Sequence, residues 1–143
     1  MKKFFLLSLL LSLIIPAFSQ QVTPETLIKR QKRKGLVIKE WNTQSGSKTP
    51  FLDHMTIYDS LGRKIEEIEY ASYGQKSRVV SEYVDPLDPA SKVLKEVEYN
   101  DRNKVVRIRK FEYNDDGTKK RQLNYYPNGK LESYKEFKFV FND

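Results

Sequence analysis

The sequence predicts an all-β domain, built as an antiparallel up-and-down meander of about eight strands. All nine tyrosines but only two alanines lie beyond residue 19, a composition that favours pleated strands over helix bundles. Aromatic residues followed by turn motifs recur about every 13 residues, and apolar and charged residues alternate between the motifs. Such strands form either one twisted, open sheet or a sheet that curls into a roll.

The first element, residues 1–19, reads as a signal peptide. Two lysines precede an apolar run from Phe4 to Ile15, and Ala17 and Ser19 are the small residues of a cleavage site. The run is shorter than the roughly 20 residues that span a bilayer, although an uncleaved anchor is the alternative. The chain has no cysteine to form a disulfide or accept a lipid. We therefore expect an exported protein, periplasmic or secreted and not a lipoprotein, with at most peripheral membrane contact.

Residues 20–35 are predicted to be a basic arm or short helix that precedes a β-repeat domain at 36–143. Thr23 has the position of an N-cap and Pro24 that of the first helical residue, and Gly35 is expected to end the helix. Basic residues crowd the last turns, as the helix dipole favours. They are candidate contacts for an anionic partner or, alternatively, a solvated face; nucleic acid is not expected as a partner of an exported chain. These residues are Lys29, Arg30, Lys32, Arg33 and Lys34.

The repeating unit of the β-domain is an aromatic strand end followed by a turn. Four copies carry a clear turn sequence, beginning at Tyr58, Tyr99, Tyr113 and Tyr125. In each, Asn or Asp favours a type I turn, and a later Gly or Asn takes the left-handed position that closes the hairpin. The left-handed positions are assigned to Gly62, Asn103, Gly117 and Gly129. The spacing predicts strands near 36–42, 53–59, 64–70, 77–84, 92–99, 104–113, 119–126 and 130–141.

The alternation of apolar residues slips within the strand predicted at 104–113. Val106 and Ile108 have the opposite parity from Phe111 and Tyr113. Since side chains of a regular strand alternate between faces, the slip predicts a β-bulge in this strand.

Two of the turn units resemble known repeats. The segment from Tyr58 to Arg63 resembles the YD repeat of Rhs-type proteins, and the segment from Tyr125 to Leu131 is similar to the unit of MORN-like repeat proteins. The MORN-like group includes proteins assigned as antitoxins of bacterial toxin–antitoxin pairs. The resemblance covers about residues 58–139 and implies β-hairpin arrays that serve as scaffolds or binding surfaces. It brings no catalytic residue to this chain.

The sequence indicates no enzyme, cofactor site or metal site. The only histidine, His54, lies beside Asp53 without the further partners that a triad or a metal site needs. Strand carboxylates lie beside Lys and Arg, which favours cross-strand ion pairs over glycosidic acid–base catalysis. They are Glu66, Glu67, Glu69, Glu82, Glu96, Glu98 and Glu112.

Two sets of aromatic residues are candidate binding elements. Exposed aromatic rings stack on sugars or anchor protein interfaces, although here they are also expected to form ladders that cover one sheet face. The candidate binding surface consists of Trp41, Tyr70, Tyr83, Tyr99, Tyr113, Tyr125 and Tyr134. Phe137, Phe139 and Phe141 lie in the last predicted strand, an edge to which a partner or a second copy can add a strand.

These features lead to one expected function and one alternative. The first is a non-enzymatic exported protein whose β-repeats present a binding surface for an envelope protein or a glycan. The alternative, which follows from the MORN-like resemblance, is a toxin-neutralising or immunity-type protein.

Overall fold

The computed structural model describes residues 21–142, so the predicted signal peptide at 1–19 lies outside the described part. These residues form one helix and one eight-stranded antiparallel sheet, which confirms the all-β prediction. The elements are α1 Pro24–Gln31, β1 Val37–Asn42, β2 Phe51–Tyr58, β3 Lys64–Ala71, β4 Gly74–Tyr83, β5 Val93–Tyr99, β6 Val105–Tyr113, β7 Lys119–Tyr125 and β8 Leu131–Glu136.

The sheet is an open up-and-down meander. Each strand pairs with its sequence neighbours, in the order β1-β2-β3-β4-β5-β6-β7-β8. Strands β1 and β8 therefore lie at opposite edges of one uncurled sheet. Of the two alternatives that the sequence left open, the structure has the open sheet.

Helix α1 begins as predicted. The Thr23 side chain accepts a hydrogen bond from the Thr26 N–H at 3.3 Å, and Pro24 is the first helical residue. The helix ends at Gln31, four residues before the predicted position. Gly35, with a φ of 65°, instead lies in the turn that leads into β1.

Four hairpins share one turn geometry. The Asp59 carbonyl accepts a hydrogen bond from the Gly62 N–H at 3.0 Å, and the Asp59 N–H donates to the Arg63 carbonyl at 2.9 Å. This is a type I turn closed by a left-handed residue. The same pair of bonds recurs in the turns that begin at Asn100, Asn114 and Tyr126. The predicted left-handed residues are confirmed, with φ angles of 79° for Gly62, 58° for Asn103, 87° for Gly117 and 86° for Gly129.

The meander gives the sheet two distinct ends. We call the end that carries α1 and the connections 59–63, 84–92 and 114–118 the helix end. The opposite end, with the connections 43–50, 72–73, 100–104 and 126–130, is the aromatic end. Tyrosine is the last residue of five strands, and Tyr70 is the last but one of β3. These tyrosines alternate between the two ends because successive strands run in opposite directions.

Few side chains are fully buried, and they lie on both faces of the sheet. Within residues 21–142 the buried apolar side chains are Ile68, Val97 and Phe111. Ile108 pairs directly with Val97 and shares its face, whereas Phe111, three residues further along β6, lies on the other face. The pairing is regular from Ile108 to Glu112, and the bulge predicted for this strand lies nearer its start: Glu98 pairs with Arg107 and Tyr99 with Val105, which leaves Val106 as the extra residue. The change of parity between Ile108 and Phe111 reflects apolar packing on both faces.

Candidate binding surface

The predicted tyrosines do not form ladders across the sheet. Each of Tyr70, Tyr83, Tyr99, Tyr113 and Tyr125 follows a register shift at the end of its strand. Their directly paired residues are Gln75, Val93, Val105, Lys119 and Leu131, none of which is aromatic. The ladder expectation is therefore wrong. All five rings are half-buried, and those of Tyr83, Tyr99, Tyr113 and Tyr125 contact cationic side chains.

At the helix end, Tyr83 lies between two arginines. The guanidinium carbons of Arg63 and Arg30 are 4.5 and 5.3 Å from its ring centre, within cation–π range. Its hydroxyl donates a hydrogen bond to the Lys64 carbonyl at 2.8 Å. Burial raises the pKa of the Tyr83 hydroxyl. Tyr83 is thus a packing residue that joins α1 to the sheet, rather than an exposed ligand contact.

Arg63 is the centre of this contact. Its guanidinium donates to the Asp85 and Pro86 carbonyls, both at 2.8 Å, and its Nε donates to the Asp59 carboxylate at 2.8 Å. Burial would raise the pKa of the Asp59 carboxyl, but the hydrogen bonds from Arg63 outweigh it and hold that pKa below its ordinary value. The arrangement fastens the connection 84–92 to the β2–β3 turn.

Sequence reasoning missed this role of Arg63. A comparison of the repeats could have revealed it. Arg63 follows the left-handed residue of its turn, and the other three copies have Lys104, Thr118 and Lys130 at that position. The fold also places the 84–92 connection, the longest loop between the repeats, beside it. A planar group with five donors suits several converging carbonyls better than an ammonium does.

The basic residues of the N-terminal arm do not act as one free patch. Arg30 donates to the Pro89 and Ser91 carbonyls at 2.6 and 2.7 Å, and burial lowers the pKa of its guanidinium. Lys29 pairs with Glu25 at 3.1 Å. Exposed basic side chains remain at 32–34, which leaves a smaller candidate contact for an anionic partner than the sequence indicated.

The other strand-end tyrosines are also fixed by packing. The Tyr113 hydroxyl donates to the Val93 carbonyl at 2.6 Å, and burial raises its pKa to about 12. The Lys92 ammonium lies 4.9 Å from the Tyr113 ring and donates to the Gly117 carbonyl. At the aromatic end, Arg78 covers Tyr99 and Lys110 covers Tyr125, at 4.2 and 5.3 Å from the ring centres.

Three exposed aromatic rings lie at the aromatic end. Trp41 at the end of β1, Tyr73 in the β3–β4 turn and Tyr126 in the β7–β8 turn are 60%, 69% and 47% exposed. We call these three residues the aromatic rim. Trp41 belongs to the predicted surface, whereas Tyr73 and Tyr126 lie outside it. Tyr134, also exposed, lies apart from the rim on β8, at the outer edge of the sheet.

The strand carboxylates form ion pairs, as predicted. Most of these pairs join neighbouring strands, and Glu67 also pairs with Lys64 within β3. The nitrogen–oxygen distances are 3.3 Å for Arg78–Glu66, 2.8 Å for Lys64–Glu67, 4.0 Å for Lys76–Glu69, 3.5 Å for Lys95–Glu82, 3.5 Å for Arg109–Glu96, 2.7 Å for Arg109–Glu98 and 2.7 Å for Arg121–Glu112. Because the pairs are partly exposed, each contributes little to stability individually.

His54 cross-links the sheet near its β1 edge. Its Nδ1 lies 2.5 Å from a Glu40 carboxylate oxygen on β1, and its Nε2 lies 3.1 Å from Glu67 on β3. The hydrogen bond from Lys64 lowers the pKa of Glu67 despite its partial burial. In the described part of the chain, no three His, Cys, Asp or Glu residues are arranged to hold a metal ion. His54 thus holds three strands in register.

The last strand is shorter than predicted. β8 ends at Glu136, although the Phe137 N–H still donates to the Lys120 carbonyl on β7 at 3.1 Å. Phe139 and Phe141 lie in an exposed tail with no regular structure. The unpaired edge is therefore β8 itself, and the phenylalanines proposed for edge pairing mostly follow it.

No protein-family model and no curated protein matches this chain. Across residues 21–142, no helix combines the length and apolar character that spanning a membrane requires.

Proposed function

We propose that this chain is an exported, non-enzymatic protein that binds an envelope protein or a glycan through the aromatic rim. The observation that carries the proposal is the grouping of Trp41, Tyr73 and Tyr126, all largely exposed, at the one end of the sheet that α1 does not cover. Large rigid rings with a polar tip are the side chains that most often anchor interfaces and stack on sugars.

The architecture supports a scaffold that presents a surface. Eight strands at about 4.8 Å spacing spread the rim over on the order of 30 Å, which suits an extended ligand. At the aromatic end, the rings of Tyr99 and Tyr125 are covered by Arg78 and Lys110, and the Gln75 side chain donates a hydrogen bond to the Asn100 carbonyl at 2.9 Å. The strand ends that carry the rim are thus held by packing. A rigid frame reduces the entropy cost of binding.

Two sequence features support the wider context of the proposal. The signal-like segment at 1–19 favours export, and the resemblance to YD and MORN-like repeats favours a binding scaffold. The strand carboxylates lie in ion pairs with Lys and Arg, which favours a structural role for them over acid–base catalysis.

The test measures binding of the purified chain to a panel of envelope polysaccharides and to envelope proteins isolated individually. We expect Trp41 fluorescence to change on binding. The triple variant Trp41→Ala/Tyr73→Ala/Tyr126→Ala should weaken affinity by about tenfold or more, since each ring is a candidate anchor.

The matched control is Leu87→Ala, which removes a still more exposed apolar side chain, at the helix end. It should leave affinity unchanged. Binding that survives the triple variant, or that Leu87→Ala weakens as much, would contradict the assignment to the rim.

A further inference from the structure

Among residues 21–142, no strand pairs with the outer edge of β1 or of β8. All six residues of β1 and all six of β8 are exposed, whereas each inner strand has half-buried or buried residues. Each edge strand bonds to one neighbour only, so half of its backbone groups face outward. Unpaired edges of this kind add further strands readily.

The hydrogen bonds define which backbone groups face outward. The Tyr58 N–H donates to the Leu36 carbonyl, so the polar groups of Leu36 face β2 and those of residues 37, 39 and 41 face away. The Phe137 N–H donates to β7, so residues 134, 136 and 138 face outward from β8. The β-bulge between β1 and β2 has its extra residue, Asp53, on β2, so the alternation along β1 is unbroken. The β-bulge between β7 and β8 has its extra residue, Glu132, before residues 134–138, so the alternation along that segment is unbroken as well.

We propose that β8 of one copy pairs antiparallel with β1 of the next copy, which continues the sheet from one molecule to another. In the proposed register, Lys39 lies opposite Glu136 and Trp41 lies opposite Tyr134. Both pairs join residues whose backbone N–H and C=O groups face outward, so the two residues of each pair can exchange two hydrogen bonds.

Side-chain faces agree with this register. A row of directly paired residues leads from Lys39 through β2 and β3 to Arg78 on β4. A second row leads from Tyr134 through β7, β6 and β5 to Glu82 on β4. Arg78 and Glu82 are four residues apart on a regular strand and share a face. Lys39 and Tyr134 therefore lie on the same face, and so do their neighbours two residues away, Trp41 and Glu136.

The paired side chains are complementary on both faces. Lys39–Glu136 forms an ion pair on one face, and Glu40–Lys135 forms the reverse ion pair on the other. Trp41–Tyr134 is an aromatic pair, and Ile38–Phe137 is an apolar pair. Within residues 21–142, Lys39, Lys135 and Glu136 have no ion-pair partner. Cross-strand pairs of these kinds each contribute roughly 0.2–1 kcal/mol in a sheet.

Charge disfavours the competing arrangements. If β8 is moved along β1 by two residues in one direction, Lys39 lies opposite Lys138. If it is moved by two residues in the other direction, Lys135 lies opposite Ile38. Two β8 edges that pair symmetrically place Lys135 opposite itself, Glu136 opposite itself, or Glu132 opposite Glu136. Directly opposed like charges destabilise a sheet. The shift that places Lys135 opposite Ile38, and pairing of two β1 edges, form neither of the two ion pairs, so the β8–β1 pairing in the stated register fits best.

This contact joins two different surfaces and does not close on itself. Repetition of a heterologous contact of this kind produces an open chain of molecules. Both faces of the sheet stay accessible, and the aromatic rims of successive copies lie along the same end of the continuous sheet.

The test uses sedimentation equilibrium on the purified chain and on two charge-reversed variants. The first variant, Lys39→Glu/Glu40→Lys, reverses β1, and the second, Lys135→Glu/Glu136→Lys, reverses β8. We expect the unchanged chain to gain mass with concentration and each variant alone to associate on the order of tenfold more weakly. An equimolar mixture of the two variants should regain association, because each reversed edge then meets its complement.

A disulfide tests the register. The chain has no cysteine, so Asn42→Cys and Ser133→Cys, which the register places opposite each other, should link different copies on mild oxidation. Asn42→Cys with Lys135→Cys, two residues out of register, is the matched control and should link far less. A chain that stays monomeric at every concentration, a mixture that fails to regain association, or equal linking by both cysteine pairs would overturn the proposal.

Discussion

At the residue scale, the closest fit is between Gly62 and the helix. Gly62 has a φ of 79°, and a Cβ atom there would lie 1.7 Å from the Arg30 carbonyl oxygen of α1. Gly129 has nearly the same conformation, with a φ of 86°, but no atom lies within 4 Å of its Cβ position. A substitution at Gly129 therefore destabilises the fold only through the left-handed backbone, whereas a substitution at Gly62 also introduces a steric clash with α1.

We expect Gly62→Ala to lower the free energy of unfolding by about 3 kcal/mol or more, because it adds a steric clash to the left-handed cost. Gly129→Ala, the matched control, should lose only about 1–2 kcal/mol. Urea denaturation of the two variants measures the difference. Equal losses would show that α1 does not pack against the β2–β3 turn as described.

A second prediction concerns Tyr113 at alkaline pH. Burial raises the pKa of its hydroxyl to about 12, so the folded state favours the protonated phenol. This contribution is complete below the unfolded pKa of about 10 and is lost as the pH rises from there through the folded value. Tyr113→Phe should cost about 1 kcal/mol at neutral pH through its lost hydrogen bond. The same change should flatten the alkaline fall in stability.

Urea denaturation between neutral and alkaline pH measures both effects. The control is Tyr126→Phe, whose hydroxyl makes no hydrogen bond within residues 21–142. If Tyr113→Phe keeps the full alkaline loss, the assigned burial of the hydroxyl is wrong.

At the scale of elements, the turns were the part of the fold most accessible from sequence. Asn or Asp with a following left-handed residue acts locally, so the four shared turns could be placed without knowledge of the sheet. The side chains of Arg30 and Arg63 could not, since their carbonyl partners lie about 60 and about 20 residues away, in an irregular loop. The exposed rim was missed in part because turn residues such as Tyr73 fall outside strand patterns.

The end of β8 shows a second limit of local patterns. The alternating residues from Phe137 to Phe141 are typical of a strand, yet a strand needs a partner. β7 begins at Lys119, and the Phe137 N–H already bonds to Lys120. Beyond that point only Lys119 of β7 remains for the chain to pair with, so the regular structure ends.

The tail after β8 should therefore contribute little stability. A chain shortened to end at Lys138 removes Phe139, Val140 and Phe141, which are exposed, with Phe141 at 92%. We expect the free energy of unfolding to change by less than about 0.5 kcal/mol. Urea denaturation provides the measurement, and Phe137→Ala serves as the comparison because that side chain, 36% exposed, is more covered than those of the tail. A loss of several kcal/mol on shortening would mean that the tail covers part of the sheet.

At the scale of the whole molecule, the central claim is that one open sheet leaves both edge strands free. The meander and its strand order follow from successive short turns, and these were predicted. Closure was not predictable, because it depends on the accumulated twist of eight strands and on contacts between β1 and β8 that local patterns do not encode. The binding surface and the edge pairing that we propose both depend on the sheet staying open.

The distance between the two edges tests this claim most directly. Lys39→Cys and Lys135→Cys place the only two thiols of the chain on β1 and β8, and they also remove charges from the proposed pairing between copies. Spin labels there, measured by pulsed electron resonance in a dilute sample mixed with unlabelled chain, should lie on the order of 30 Å apart, as seven interstrand steps require. A distance of about 10 Å or less within one molecule would show that β8 closes onto β1.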